Sequence, residues 1–128
     1  MKKKFKVITI VIISIIAVIT TGVFAITRNL SYMMEIELIG VDIATLNDGS
    51  YTGTYERGRF TNTLTVHMKN QMIVGINLDN DVLLAQSEVS DDVFRKVIEA
   101  QSTDIDAISG ATVTTKAYLM AIENALNK

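Results

Sequence analysis

An uninterrupted apolar run near the N-terminus constrains this chain more than any other feature of its sequence. Residues Val7 to Ile26 are VITIVIISIIAVITTGVFAI and include no charged side chain. Twenty residues in an α-helix, at about 1.5 Å per residue, cover the hydrocarbon core of a bilayer, which is ~30 Å thick. The run therefore predicts a membrane-spanning helix, and the chain that follows it is expected to fold as a separate domain.

The charges on the two sides of this run predict its orientation. Residues 1–28 contain five basic side chains and no acidic one, whereas the rest of the chain carries seven basic and all 14 acidic residues. Because positively charged flanks stay in the cytoplasm, we expect residues 1–28 to form a cytoplasmic basic tip and membrane anchor, with the domain extracytoplasmic. A cleaved signal peptide is the alternative, since Val23-Phe24-Ala25 resembles a cleavage site, although signal peptides have apolar cores of only ~7 to 15 residues.

The composition of the chain excludes several classes of site. The 128 residues include no Cys and a single His, so the sequence offers no disulfide and no thiolate ligand, and no metal site is expected. Seven basic against 14 acidic residues after the anchor leave a net charge of −7. Nucleic-acid binding needs a basic surface, and we therefore expect no nucleic-acid partner.

Strand patterns come first after the anchor. Residues 29–47 are predicted to be a juxtamembrane lead-in, and SYTGTYER then predicts a strand in which Gly53 marks the close approach of another segment. FTNTLTVHMKN alternates apolar and polar residues, which predicts a half-buried strand with His67 on its polar face. MIVGINL predicts the hairpin partner of that strand, although the turn between them lacks Gly.

Helix patterns follow the strands. Ser90 is expected to cap a first helix that has Asp91 and Asp92 in its first turn and ends near Gln101. The last segment, TTKAYLMAIENALNK, has apolar residues at helical spacing, namely Tyr118, Ala121, Ile122, Ala125 and Leu126. Strands followed by helices indicate an α+β domain over residues 48–128, with a small antiparallel sheet packed against two or more C-terminal helices.

The loop before the last helix, DAISGATVTT over residues 106–115, contains more hydroxyl side chains than a helix cap requires. Asp106 and Ser109 are expected to fold the loop through side chain to backbone hydrogen bonds, while Gly110 and Ala111 leave its backbone accessible. The N-terminus of a helix has free N–H groups and a partial positive charge, which suit a phosphate. From spacing alone, the loop is either a helix cap or an anion site.

The same loop resembles a known motif. Residues 106–112, DAISGAT, match at every fixed position the flavinylation motif of the FMN-binding domain family, which is Asp, two variable residues, Ser or Thr, Gly, Ala and Thr. The surrounding QSTDIDAISGATVTTKAYLMAIENAL resembles the C-terminal signature of that family, and NDGSYTGTY resembles its opening strand. The resemblance covers residues 48–126.

The resemblance implies a cofactor and a way of attaching it. In this family the last Thr of the motif, here Thr112, carries FMN through a phosphodiester that a separate flavin transferase forms from FAD. A hydroxyl is a weak nucleophile, so the transferase has to activate it. By the same resemblance, Asp106 and Ser109 would shape the loop or be recognised by the transferase, and the backbone N–H groups of Val113 and Thr114 would hold the phosphate.

Four other side chains are candidates for contact with a flavin ring: Tyr51, Tyr55, Phe60 and Met72. Large apolar residues of this kind are more often plain core, and core is what we expect here. The single histidine is expected to be a solvated or cross-strand residue.

The function that the resemblance implies is electron transfer by a carrier without catalytic residues of its own. Its expected partners are the membrane, the flavin transferase, and redox proteins or a quinone-linked donor. Related subunits of Rnf-type and sodium-pumping NADH:quinone oxidoreductase complexes have a Glu-Thr-Pro-Gly stretch that this chain lacks, which favours a stand-alone carrier. Two alternatives stay open: an anchored, non-redox binding module in which the motif is only a loop and cap, and a domain that binds FMN non-covalently.

Overall fold

The structure, a computed structural model, describes residues 1–28 and 30–127. It divides the chain into two units, Met1–Tyr32 and Met33–Lys128. Asn29 and Lys128, the first residue of the predicted lead-in and the last of the predicted domain, lie outside the described residues.

The first unit is dominated by helix α1 (Lys2–Thr27), which has no buried residue, and a short helix, α2 (Leu30–Glu35), comes next in the chain. A window of this helix has a mean hydropathy of 2.8, so it is long and apolar enough to cross a membrane. Its hydroxyl side chains donate to carbonyl oxygens one turn earlier, as Ser14 Oγ does to Ile10 O at 2.9 Å. Because these hydroxyls are hydrogen-bonded within the helix, they can lie in the hydrocarbon core of a bilayer, where no water is present to bond them. The same length and composition suit a retained anchor and a signal sequence alike.

A three-stranded antiparallel sheet forms the centre of the second unit, which confirms the predicted α+β class. Its strands, in spatial order, are β1 (Gly49–Tyr55), β2 (Asn62–Lys69) and β3 (Met72–Asn80). The alternation predicted for β2 is observed, because Leu64, Val66 and Met68 are buried between half-buried neighbours.

The outward face of the sheet is a network of polar side chains. The hydroxyl oxygens of Thr52 and Thr65 are 3.0 Å apart across β1 and β2. His67 lies 2.8 Å from Ser50 Oγ through Nδ1 and 2.9 Å from Asn77 Nδ2 through Nε2. His67 is therefore a cross-strand residue of the polar face, as predicted. Among residues 1–28 and 30–127, no group of three or more potential metal ligands is present.

The turn that joins β2 to β3 has only two residues, Asn70 and Gln71, with φ of +52° and +61°. Positive φ at both central positions is the mark of a type I′ hairpin turn. Asp48, the residue before β1, supports the turn, because its Oδ1 accepts a hydrogen bond of 2.7 Å from Asn70 N. The predicted hairpin is confirmed, although neither turn residue is Gly.

Helix α3 (Ser87–Ala100) begins earlier than predicted. Ser90 is not its cap: the side chain is buried, and its Oγ donates to Ser87 O at 3.0 Å. The acid in the first turn is Glu88, so the prediction of Asp91 and Asp92 there is wrong. The physical reason is Val89, which is buried and extends the apolar stripe of the helix back by one turn.

The C-terminal end of α3 agrees with the prediction. Gln101 ends the helix in a left-handed conformation with φ of +51°. Its side-chain amide also pairs with the backbone of β3, accepting from Ile73 N at 2.7 Å and donating to Ile73 O at 2.9 Å. The edge of the sheet is thereby closed at that residue.

Helix α4 (Thr112–Leu126) packs on the inner face of the sheet, and all five apolar residues predicted for its buried stripe are buried. A Cβ added at Gly53 would lie 2.1 Å from Ala121 O and 2.4 Å from Ala125 N. The close approach predicted at Gly53 is therefore made by α4. Part of the predicted lead-in also belongs to this unit, because Met33 is fully buried in its core.

Candidate functional site

The loop between α3 and α4 is held at its α4 end by the buried hydroxyl of Thr115. Thr115 Oγ1 accepts from Ile108 N at 3.2 Å and donates to Ala111 O at 2.8 Å. Ala111 N donates to Ile108 O at 2.9 Å, which closes a turn around Ser109 and Gly110. The φ of Gly110 is +78°, the value that a type II turn requires at its third residue and that favours Gly there.

The backbone of Gly110 is accessible to other molecules as well as left-handed in conformation. A Cβ added at Gly110 would have no atom within 4 Å, so the residue is constrained by its conformation and not by crowding. Another molecule therefore has access to the main chain on this side of the turn.

The start of α4 has no side-chain cap. Its N-cap residue is Ala111, which offers no side-chain acceptor, and Thr112 is the first helical residue. The first backbone groups of a helix lack intrahelical acceptors, so the N–H groups of Thr112, Val113 and Thr114 point out of the helix end. The interpretation of the loop hydroxyls as a helix cap is therefore wrong. Thr112 Oγ1 itself makes no hydrogen bond within the described part of the chain, and the side chain is half-buried.

Asp106 and Ser109 do not fold the loop. Both side chains make no hydrogen bond to any residue in the described ranges 1–28 and 30–127. Asp106 takes part in a hydrogen bond through its backbone, where Lys96 Nζ donates to Asp106 O at 3.5 Å. The expectation of side chain to backbone bonds at these two residues is wrong, because Thr115 supplies that support from within the helix.

Thr115 is the residue that sequence reasoning missed. It is the second Thr of the Thr-Thr pair and lies four residues after Ala111. That spacing lets a hydroxyl in a helix donate to the carbonyl one turn earlier, so the signal was present. Its second bond, from Ile108 N, depends on the path of the loop and has no sequence signal.

A small cleft of about 100 Å³ adjoins the loop, lined by Leu84, Gln86, Val89, Gly110, Ala111 and Thr114. Leu84 is 82% exposed and has φ of +61°, which is rare for a bulky side chain. Its neighbour Leu83 is 69% exposed. An apolar surface therefore lies beside the open backbone of the turn.

A buried tyrosine joins two of the elements that line this cleft, helix α4 and the segment between β3 and α3. Tyr118 Oη donates to Asp81 Oδ1 at 2.6 Å, and the Tyr118 ring meets Phe94 edge to face at 5.6 Å. Burial, and then the hydrogen bond to Asp81, raise the pKa of Tyr118 well above its usual value. The phenol therefore stays protonated and keeps its donor at neutral pH.

The four residues considered for ring contact lie elsewhere. Tyr55 and Phe60 are buried core residues, as expected, and the Arg59 guanidinium lies 4.6 Å from the centre of the Phe60 ring. Tyr51 is half-buried and packs against the core, whereas Met72 is 51% exposed. The expectation of a core position is wrong for Met72. None of the four lines the cleft.

Comparison with known families identifies the domain to which this site belongs. A model of the FMN-binding domain family matches residues 57–127, more than half of the chain. The chain belongs to the FMN-binding domain family. The match includes β2, β3, both C-terminal helices and the whole loop, so FMN is the cofactor that the FMN-binding domain indicates. No curated protein matches the sequence.

The residues at the start of α4 fit FMN. The helix end offers backbone N–H groups and a partial positive charge to a phosphate, and the left-handed Gly110 leaves room for it to approach. Leu83 and Leu84 offer exposed apolar surface of the kind that a flavin ring covers. Thr114 and Leu84 both line the cleft, so the helix end that suits a phosphate adjoins an apolar side chain.

Proposed function

We propose that this protein is a membrane-anchored, extracytoplasmic flavoprotein that carries FMN covalently on Thr112 and transfers electrons. The observation that carries the proposal is the position of Thr112, whose hydroxyl is free of hydrogen bonds among the described residues, at an uncapped helix end of an FMN-binding domain. When bound, FMN supplies the redox chemistry. The protein is then a carrier between other redox proteins.

The roles of the site residues follow from their positions. Thr112 Oγ1 would form the ester bond to the phosphorus of the FMN half of FAD, with AMP as the leaving group and the transferase as the base. The N–H groups of Val113 and Thr114 would hold the phosphate. The free side chains of Asp106 and Ser109 would be contacts for the transferase, since the loop does not use them.

The proposed partners follow from the two units of the chain. Helix α1 would hold the protein in the cell membrane, with the basic tip before Val7 cytoplasmic by the positive-inside rule. A membrane donor, either a redox protein or a quinone-linked one, would reduce the flavin, and an extracytoplasmic protein would accept the electrons. Covalent attachment suits this location because a flavin that dissociates there is lost to the cell.

The proposed attachment site is tested by replacing Thr112 with valine, which has nearly the same shape and no hydroxyl. Full-length wild type and Thr112→Val are co-expressed with an active flavin transferase, and flavin is measured after denaturation by gel fluorescence and intact mass. We expect wild type to gain the mass of FMN less one water, on the peptide that contains Thr112. Thr112→Val removes the nucleophile with little change of volume, so it should fold and carry no covalent flavin.

Thr114→Val is the matched control, because Thr114 lies in the same helical turn, is also half-buried, and would hold the phosphate only through its backbone N–H, which valine keeps. This variant should keep its covalent flavin. Flavin that stays attached to Thr112→Val in denaturant would refute the assignment. A yellow wild type that loses its flavin in denaturant would identify a non-covalent FMN binder, and a colourless one beside an active transferase would indicate a non-redox binding module.

A further inference from the structure

One carboxylate of the domain is buried without a cation beside it. Glu123 on α4 is 3% exposed, and no Lys or Arg in the described part of the chain forms an ion pair with it. A buried charge is costly unless hydrogen bonds replace the water that it loses. The partners of this carboxylate therefore indicate why it is retained.

Glu123 binds two segments that are far apart in sequence. Its Oε2 accepts from Ile39 N at 3.1 Å, and its Oε1 accepts from Gly40 N at 2.9 Å. The same Oε1 accepts from Thr103 Oγ1 at 2.8 Å. Ile39 and Gly40 lie in the segment before β1, which we call the strap (residues 33–41), and Thr103 begins the loop that leads to the motif.

The strap is held along its length by α4. Lys116 Nζ donates to Met34 O at 2.5 Å and to Ile36 O at 3.0 Å, two turns of the helix before Glu123. Met33 is fully buried, and Leu38 packs partly against the core. The strap is thus a packed part of the domain, and the family match, which begins at residue 57, does not include it.

Thr103 is suited to transmit this contact to the loop. It is 2% exposed, and its carbonyl accepts from Ile105 N at 3.0 Å, so its hydroxyl and its backbone fix the first turn of the loop together. At the other end, Thr115 fixes residues 108–111. Between these two points Asp104, Asp106 and Ala107 are exposed. The shape of the exposed part therefore depends on both ends.

We propose that Glu123 is a positioning residue for the loop that carries Thr112, an inference that rests on the proposed function. Its carboxylate ties the start of the loop, at Thr103, to the seated strap. The loop then has one predominant shape in which the transferase recognises the motif. When the hydrogen bond between Thr103 and Glu123 is lost, the fold stays intact, but only a small fraction of the molecules has the loop shape that the transferase recognises.

The experiment uses the full-length chain in detergent and the pair Thr103→Val and Thr103→Ser. Valine keeps the volume of threonine and removes the hydroxyl, whereas serine keeps the hydroxyl. For Thr103→Val we expect exchange of the Asp104 and Ile105 amides, which donate to Ser102 Oγ and Thr103 O, to become about tenfold faster or more, the usual effect of losing a hydrogen bond to a charged group. Thr103→Ser should restore slow exchange, and the amides of Ile39 and Gly40 should be unchanged in both.

Flavin transfer gives the second readout. If only part of the population has the recognised loop shape, the apparent KM for the acceptor protein rises by the inverse of that fraction, while kcat at saturation is kept. Thr103→Val should show this split and Thr103→Ser should not. A general loss of stability would instead lower the folded fraction, which circular dichroism on the same samples measures for each variant.

Glu123→Gln tests the carboxylate itself. An amide nitrogen cannot accept, so at least one of the bonds from Ile39 N and Gly40 N is lost, and exchange should quicken in the strap and the loop together. Glu99→Gln removes an exposed carboxylate from α3 and should change neither. Loop exchange equal to wild type in Thr103→Val, or equally fast exchange in Thr103→Ser, would overturn the proposal. If wild type accepts no flavin, the proposed function fails, and exchange alone decides the role of Glu123.

Discussion

Gly53 shows at the scale of one residue how tightly the domain is built. The Cβ that any other residue would add there meets backbone atoms of α4 at 2.1 and 2.4 Å, and backbone cannot move aside as a flexible side chain can. We expect Gly53→Ala to destabilise the domain by about 3 kcal/mol or more, the upper range for overpacking. Gly75→Ala is the control, since its Cβ would meet only His67 Cδ2 at 3.7 Å.

Urea unfolding of the two variants, followed by circular dichroism, measures this difference. Equal midpoints for Gly53→Ala and Gly75→Ala would mean that α4 does not lie on β1 as described.

The close approach at Gly53 was predictable because a lone Gly inside a strand often marks a place where another backbone comes close. The support of the loop was not predictable in the same way, because Asp106, Ser109 and Thr115 all have side chains that can bond a nearby backbone. Only the packed position of Thr115 decides among them.

At the scale of elements, the hairpin of β2 and β3 forms despite an unfavourable turn residue. Gln71 has φ of +61°, which costs a residue with a Cβ about 1 kcal/mol, whereas Asn70 tolerates the left-handed region better. We expect Gln71→Gly to raise the free energy of unfolding by about 0.5 to 1 kcal/mol, because Gln71 is exposed and loses no packing. Gln71→Ala keeps the strain and should not stabilise. Thermal unfolding of both variants checks this, and a gain of stability in Gln71→Ala would contradict it.

The sequence predicted correctly whether a segment is a strand or a helix where a single hydrophobic periodicity extends over many residues. The strict alternation of β2 and the helical spacing of α4 leave one way to bury their apolar side chains. The start of α3 did not follow, because Ser87 and Ser90 are both acceptable first residues by local preference. Burial of Val89 selects the earlier one, and that burial depends on the sheet and α4. Local rules therefore predicted the strands and helices better than they predicted where a helix begins.

At the scale of the whole molecule, the chain joins two units of opposite character. The first has a helix with no buried residue and basic side chains at its start, and the second contains all 14 acidic residues of the chain. Of these charges, the positive-inside rule uses the basic side chains close to the apolar helix, and the acidic residues contribute little to orientation. The second unit begins at Met33, so a fragment intended to fold without helix α1 has to retain the strap as well as the family-matched residues.

The proposed orientation can be tested directly because the chain contains no cysteine. A single cysteine introduced by Lys3→Cys lies in the basic tip, and one introduced by Ala100→Cys lies at the exposed end of α3. With a thiol reagent that does not cross membranes, we expect Ala100→Cys to be labelled in intact cells and Lys3→Cys only after the cells are opened. The cysteine-free wild type controls for background. Labelling of Lys3→Cys alone in intact cells would place the domain in the cytoplasm, and electron delivery to an extracytoplasmic acceptor would then be physically impossible for this protein.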